Sequence, residues 1–204
     1  MATHKPFQLL IGTRNQGKIQ EIRNALKELP LVLRTLDEFP GLNEPIELDR
    51  SYEENAVIKA RHYSEQTGFC TLADDSGLEV EALGGAPGVL SARYGGKNIS
   101  DEDRVNLLLA ELNQTDNRRA RFICVIAIAG LSSTTVAYGA STGRIAEAPR
   151  GKNGFGYDPV FIPDGYGKTF AELTTSVKDR ISHRGRALAK AREYLKSQAT
   201  LTSG

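Results

Sequence analysis

Two adjacent carboxylates, Asp74 and Asp75, stand directly before Ser76 and Gly77 and directly after the short apolar run 69–73. The length of that run, its Phe69 and Cys70, and Gly68 ahead of it predict a buried strand. Gly77 is expected to end it, which leaves the two acids in a turn at the strand's tip. Carboxylates so placed cost desolvation energy unless positive charge sits beside them. A divalent cation, or the counter-charges gathered around a phosphate ester, would supply that charge. Successive side chains on a strand point to opposite faces, so one acid of the pair faces any given cleft. The blander reading is a solvated turn in which Asp74 or Ser76 caps the next element.

A second cluster follows the strand predicted over 7–11: Gly12, Thr13, Arg14, Asn15, Gln16, Gly17 and Lys18. Strand, glycine turn and helix is a layout that presents backbone N–H groups to an anion. Thr13 and Asn15 can cap the helix or donate to phosphate oxygens. Lys18 brings a full positive charge into the first helical turn, where the helix dipole disfavours it unless an anion is bound. The segment nearly matches the pattern G-x-x-x-x-G-K-[ST], but Ile19 stands where that pattern needs a metal-binding hydroxyl. Any metal must then be held by carboxylates elsewhere.

The C-terminal half contains Gly154, Phe155, Gly156, Tyr157, Asp158 and Pro159. An aromatic on flexible backbone beside a fixed acid can stack on a nucleobase while the acid reads an edge. The alternative is a tight turn with Phe155 and Tyr157 tucked into the core. Lys178, His183 and Arg184 bring three donors together, framed by Ser182 and Gly185 near a helix start. They are electrostatically misplaced there without an anion or strong acceptor, or else form a surface basic patch.

The elements that must position these residues alternate early and turn to strands later. A helix carrying Ile19, Ile22, Leu26 and Leu29 as one stripe ends at Pro30, and a second strand follows over 31–36. Residues 37–50 read as a loop. Ser51 and Glu54 form a capping box for a helix that ends near Gly68. Five glycines and a proline make 83–96 a loop. Ser100 and Asp103 cap a further helix with Val105, Leu108, Leu109 and Leu112 facing the core. Strands are expected over 121–129, 134–140, around 144–148 and over 160–162, with 131–133 as a turn and a last helix from about Ser182. The pattern is α/β with a mixed central sheet flanked by helices.

The chain has 204 residues, which suits one domain with its own core. Its net charge of +1 gives no field for general nucleic-acid or membrane binding, so any phosphate site must be local. No apolar stretch reaches signal-peptide or membrane-span length, which makes the cytoplasm the expected compartment. Cys70 and Cys124 are expected as buried free thiols.

Taken in order, these segments resemble the inosine triphosphate pyrophosphatase family, hydrolases of non-standard purine nucleoside triphosphates. The matching pieces are Thr13-Arg14-Asn15-Gln16-Gly17-Lys18, Glu54-Asn55-Ala56 with Lys59-Ala60, and Ala73-Asp74-Asp75-Ser76-Gly77-Leu78. Gly84-Gly85-Ala86-Pro87-Gly88 then leads to Ser91-Ala92-Arg93-Tyr94. Gly154-Phe155-Gly156-Tyr157-Asp158-Pro159, Ala171-Glu172-Leu173 and Ser182-His183-Arg184-Gly185 complete the set. The resemblance spans nearly the whole chain.

It implies an elongated, two-lobed fold with the nucleotide between the lobes, a homodimer, magnesium, and cleavage between the α- and β-phosphates. It also implies a substrate site formed by residues 13–18, Lys59, Ser76, residues 155–158, Lys178, His183 and Arg184. Within that site Thr13, Asn15 and Lys18 hold the triphosphate, Asp75 accepts a proton and binds metal, and Ser76 touches substrate. Phe155 stacks on the base, Asp158 reads its edge, and Lys178, His183 and Arg184 bind the purine. The family's metal-binding glutamate falls among Glu44, Glu47 and Asp49, and counting back from Ser51 selects Glu47. Buried donors would pair with the 6-oxo group of hypoxanthine or xanthine and reject adenine's 6-amino group. The exclusion of guanine, and the choice among ITP, dITP and XTP, are not legible. Two rival readings remain: a P-loop-like NTPase releasing orthophosphate, and a nucleotide-binding protein without catalysis.

Overall fold

The computed structural model of the chain describes residues 6–48, 51–96, 98–130 and 133–201, with the backbone alone for 199–201. Asp49 and the predicted turn residues Leu131 and Ser132 lie outside the described residues. Six strands form one mixed sheet in the order β2-β1-β3-β4-β5-β6. They are β1 (Phe7–Ile11), β2 (Leu31–Thr35), β3 (Cys70–Val80), β4 (Arg119–Ala129), β5 (Thr134–Ile145) and β6 (Phe161–Pro163). β1 runs parallel to both β2 and β3, and the remaining pairs are antiparallel. Helices α1 (Gln16–Leu26), α2 (Tyr52–Thr67), α3 (Asp101–Glu111), α4 (Thr175–Ile181) and α5 (His183–Leu201) complete the fold. No described helix is long and apolar enough to cross a membrane.

The predicted caps are present. Ser51 Oγ accepts from the Glu54 amide and Ser100 Oγ from the Asp103 amide. Gly68 closes α2 at φ 73°, a left-handed conformation that glycine adopts without steric cost.

Two expectations need correction. The Asp-Asp segment is not a turn: β3 runs unbroken through Asp74, Asp75, Ser76 and Gly77, each registered against β4 from Ile126 to Ile123. Nor is there a separate strand around 144–148, because β5 continues as far as Ile145. In both cases long antiparallel pairing with β4 carries the strand past a local stop signal.

One face of β3 explains where the site lies. Leu72 belongs to an apolar cluster with Ile11 of β1, Ile22 of α1, Ile126 of β4 and Leu188 of α5. Leu78 and Val80, on the same face, belong to another with Leu108, Phe122, Phe161 and Phe170. Asp74 and Ser76 separate them. On the opposite face α2 packs Ala56 and Ala60 against Ala73, Val125 and Ala127. A single strand thus feeds two cores and leaves polar residues between them.

The edge of β3 completes the picture. β1 pairs with it only through Leu72, and Gly12 adds one more amide bond to the Leu72 carbonyl. From Leu78 onward the same edge is covered by residues 85–91: the Leu78 amide donates to Ser91 Oγ and the Val80 amide to the Ala86 carbonyl. The interval between them opens into a cleft. Gly77 permits the close packing at its far border, since a Cβ there would fall 2.2 Å from the Gly88 carbonyl oxygen.

Candidate active site

The cleft has a volume of about 630 Å³ and brings together residues far apart in sequence. Thr13, Arg14, Asn15 and Lys18 line it from the β1–α1 junction, and Lys59 from α2. Asp75 and Ser76 line it from β3, Phe155, Gly156, Tyr157 and Asp158 from the loop before β6, and Lys178, His183 and Arg184 from α4 and α5. Gln16 is exposed and Gly17 lies in the first turn of α1; neither lines this cleft.

At one end two carboxylates converge on one cation. Lys59 Nζ lies 2.9 Å from Glu47 Oε1 and 2.9 Å from Asp75 Oδ1. Of the two described acids in the preceding loop, Glu44 leans toward Arg14 at 3.7 Å and Glu47 meets the same ammonium as Asp75. Asn55, fully buried on α2, donates to Asp75 Oδ2 and so holds the carboxylate's other oxygen. Burial lowers the Lys59 ammonium's pKa, but Asp75, Asp74 and Glu47 outweigh it and push it up to about 12. Burial also raises the Asp75 carboxyl above the ordinary carboxylate range, with Lys59 and Lys18 only partly opposing the rise.

Asp74 lives in a different environment. Its Oδ2 lies 3.1 Å from Lys18 Nζ and accepts from Arg184 Nε and Nη2, both at 3.1 Å. Burial would raise its pKa, yet Lys18, Arg184 and Lys59 hold it well below the usual range. The cation in the first turn of α1 therefore has a protein anion as partner. Asn15 caps that helix, its Oδ1 accepting from the Lys18 amide. Ile19 is buried in the α1 core, which confirms that no hydroxyl occupies the P-loop metal position.

At the other end, Glu21 joins the predicted cations. It lies 2.7 Å from Lys178 Nζ and 2.6 Å from Arg184 Nη1. Lys178 also donates to Asp158 Oδ2, which accepts the Phe155 amide as well. Arg184 reaches Ser76 Oγ at 2.8 Å. The Phe155 ring has Lys178 Nζ 5.0 Å and the Arg184 guanidinium carbon 5.5 Å from its centroid. Gly17 lies against that ring so closely that a Cβ there would sit 2.3 Å from Phe155 Cδ1. Phe155 and Lys178 separate the cleft from a smaller hollow of about 290 Å³ beside Gly17, Glu21 and Phe170. Tyr157 is buried, and its hydroxyl donates to the Ser91 carbonyl. His183 is buried and stacked on Phe122 at 4.4 Å and 7°; its Nδ1 has no partner among the described residues. Burial, with Arg184 and Lys178 adding to it, keeps that imidazole neutral, well below its ordinary 6.5.

A family model described as Ham1 family matches residues 9–194. The chain belongs to the Ham1 family. The resemblance carried by the ordered motifs is borne out by Ham1 relatives of known name. A dITP/XTP pyrophosphatase from Desulfotalea psychrophila is 46% identical over 89% of this chain and 82% of its own. One from Syntrophobacter fumaroxidans is 49% identical over 88% and 78%. Among solved structures, a HAM1 protein from Coxiella burnetii superposes with TM-score 0.85 at 40% identity, covering 94% of this chain and 99% of that one. The Staphylococcus aureus Ham1 protein gives 0.83 at 38%, with the same coverage.

Within this Ham1 chain, three side chains of the site were assigned no role by their sequence context. Glu21 is a single acid on a helix, and only its spacing from Gly17 and Asn24 along one face of α1 marks it. Asn55 sits in a recognised motif, but only the structure reveals its bond to Asp75. Asp101 reads as one of three acids opening α3; in the structure its Oδ2 accepts the Gly156 amide at 2.9 Å.

Proposed function

We propose that this chain hydrolyses non-standard purine nucleoside triphosphates such as ITP, dITP and XTP to the monophosphate and pyrophosphate, working as one domain. The single observation that carries the reading is the pairing of Glu47 and Asp75 around one cation, at the end of the cleft opposite the Phe155–His183 cluster. Relatives named dITP/XTP pyrophosphatase support the same chemistry.

Magnesium suits the acid end. Its hard-oxygen preference is met by two carboxylates, with waters and substrate phosphates filling the rest. The convergence of Glu47 and Asp75 on the Lys59 ammonium fits that arrangement, and no cluster of three or more candidate ligands exists among the described residues. When bound, the ion would neutralise phosphate charge.

The chain's own residues do the remainder. Asp75, its basicity raised by burial, accepts the proton of the attacking water at Oδ1 or Oδ2. Asn55 orients that carboxylate. Lys18, with Thr13 and Asn15, binds the triphosphate and offsets charge on the leaving pyrophosphate. Phe155 presents a stacking surface, and His183, which lines the cleft, has a buried Nδ1 with no partner among the described residues. A donor there pairs with a 6-oxo group and faces another donor in adenine. The reading carries with it a homodimer in the cytoplasm, which size-exclusion chromatography and cell fractionation test.

The experiment is product analysis by ion-exchange chromatography after incubation with ITP, GTP and ATP, with and without magnesium. Magnesium-dependent IMP and pyrophosphate from ITP are expected, with GTP and ATP nearly untouched. Orthophosphate with a nucleoside diphosphate, or equal turnover of ATP, would remove this reading. Asp75→Asn is expected to retain nucleotide binding and to lose on the order of 10²-fold in turnover.

A further inference from the structure

We infer that Asp101 is a positioning residue for the loop that carries Phe155: it holds the peptide that follows the ring and so sets where a base can stack. The inference deepens the pyrophosphatase reading and rests on it. Asp101 opens α3 and lines the cleft together with Arg104, Phe155 and Gly156. Its Oδ2 accepts the Gly156 amide at 2.9 Å, and its Oδ1 accepts Arg104 Nη1 at 2.6 Å.

Three observations separate this from an ordinary acid at a helix start. First, Phe155 needs an anchor. It is half-buried, no apolar cluster of the described residues includes it, and it stands between Gly154 at φ 78° and Gly156 at φ 59°. Glycine has the widest backbone freedom of any residue, so packing and local stiffness do little to fix the ring. Second, the peptide between Phe155 and Gly156 is gripped from both sides. Its carbonyl accepts the Asp158 amide inside the loop, a bond that moves with the loop. Its N–H donates to Asp101, a residue 55 positions earlier on another element. Tyr157 is already buried with Val105 and Leu108 of α3, and Asp101 extends that hold to the ring's own peptide. Third, the carboxylate is itself fixed. A pair three residues apart on an exposed helix face is worth little, but Arg104 is buried and its remaining donors go to the Tyr94 and Ile99 carbonyls. A pinned guanidinium on Oδ1 leaves Oδ2 aimed at the loop, where a charged acceptor makes a stronger bond than a neutral one. Neither bond of Asp101 involves Glu47, Lys59 or Asp75, so the seating of Phe155 is separable from the chemistry at the acid end.

The test compares the full-length wild type with Asp101→Ala and Ser100→Ala. It measures kcat and KM for ITP with magnesium, product inhibition by IMP and by pyrophosphate, and the melting temperature. Asp101→Ala is expected to raise KM about tenfold and to weaken IMP inhibition by the same factor. Its kcat is expected to stay within about twofold of wild type, the pattern of lost substrate binding rather than lost chemistry, with pyrophosphate inhibition unchanged. Ser100→Ala removes the side chain that caps α3 at the Asp103 amide and leaves the partner of Gly156 in place. It is expected to lower the melting temperature and to keep the wild-type KM. An unchanged KM in Asp101→Ala would overturn the inference. So would an equal rise of KM in Ser100→Ala, which marks a general loosening of α3. So would pyrophosphate inhibition weakening in step with IMP inhibition, which marks damage to the whole cleft. Each of these outcomes leaves the wild-type reaction as it stands, whereas a wild-type enzyme that releases orthophosphate from ITP would overturn the underlying reading.

Discussion

Asp74 and Asp75 are consecutive in β3 and face opposite sides of the sheet, each held by its own lysine. Asp74 meets Lys18 of α1 and Arg184 of α5, and Asp75 meets Lys59 and Asn55 of α2. Burial acts on both carboxyls. It is overcome by the cations around Asp74 and only partly opposed around Asp75, so their proton affinities are driven apart. Pairs of acids separated in this way divide into a permanently ionised partner and a better base. The β3 edge, uncovered between β1 and the Gly88–Arg93 turn, lets both faces contribute to one cleft. Asp74 serves as the fixed counter-ion behind it and Asp75 as the reactive group within it.

Asp74→Asn tests the first half of that division. The carboxylate is buried and is shared by Lys18 and Arg184, and Glu21 alone cannot replace it for Lys18. Removing one partner of a buried ion pair leaves an uncompensated charge and costs about 3 kcal/mol or more. Urea unfolding is expected to give a lower midpoint with an unchanged slope, the midpoint shift multiplied by the slope equalling that loss. A loss under about 1 kcal/mol would mean that Asp74 is not the counter-ion that holds α1 and α5 together.

The sequence made much of this legible because its signals were local. The cap at Ser51, the stripe of Ile19, Ile22 and Leu26, and the glycine-framed Phe155 each declare themselves within a few residues, and the structure brings their neighbours into one cleft. What stayed hidden depends on partners distant in the chain. β3 passes through two aspartates because β4 supplies ladder partners along its length, a condition no local window contains. Glu21 matters only because α4 and α5 bring Lys178 and Arg184 to it, 157 and 163 residues later. Arg93 lay in a recognised motif, but its relation to Glu47 exists only once the turn packs on the β3 edge.

Gly17→Ala probes the positioning of Phe155. Gly17 lies in the first turn of α1, where alanine is a better helix former by about 1 kcal/mol. Its Cβ, however, would sit 2.3 Å from Phe155 Cδ1 and force the ring away. The two effects point in opposite directions and are separable. Melting temperature is expected to hold or rise slightly, while KM for ITP rises about tenfold with the ring displaced from its seat. An unchanged KM would mean that Phe155 does not need its packing on Gly17 to bind the base.

His183 gives the fold a pH dependence of defined sign. Its ring is fully buried on Phe122, and burial outweighs every charge around it; Arg184, Lys178 and Lys18 also oppose protonation, and only Asp74 favours it. The folded-state value is therefore depressed below the ordinary 6.5 of the unfolded chain. Between the two values the unfolded chain takes up a proton that the folded chain refuses, so stability rises with pH through that window and falls as pH drops below 6.5. The contribution is at most about 1.4 kcal/mol per pH unit. His183→Phe keeps an aromatic ring against Phe122 and removes the titration, while His4 and His62 are common to both chains and cancel in the difference. Urea unfolding at pH 7.5, 6.5 and 5.5 (~1 unit apart, to resolve that slope) is expected to show wild type losing stability relative to the variant only at the acid end. A difference between the two chains that stays constant across the series would mean that the His183 ring protonates as readily folded as unfolded.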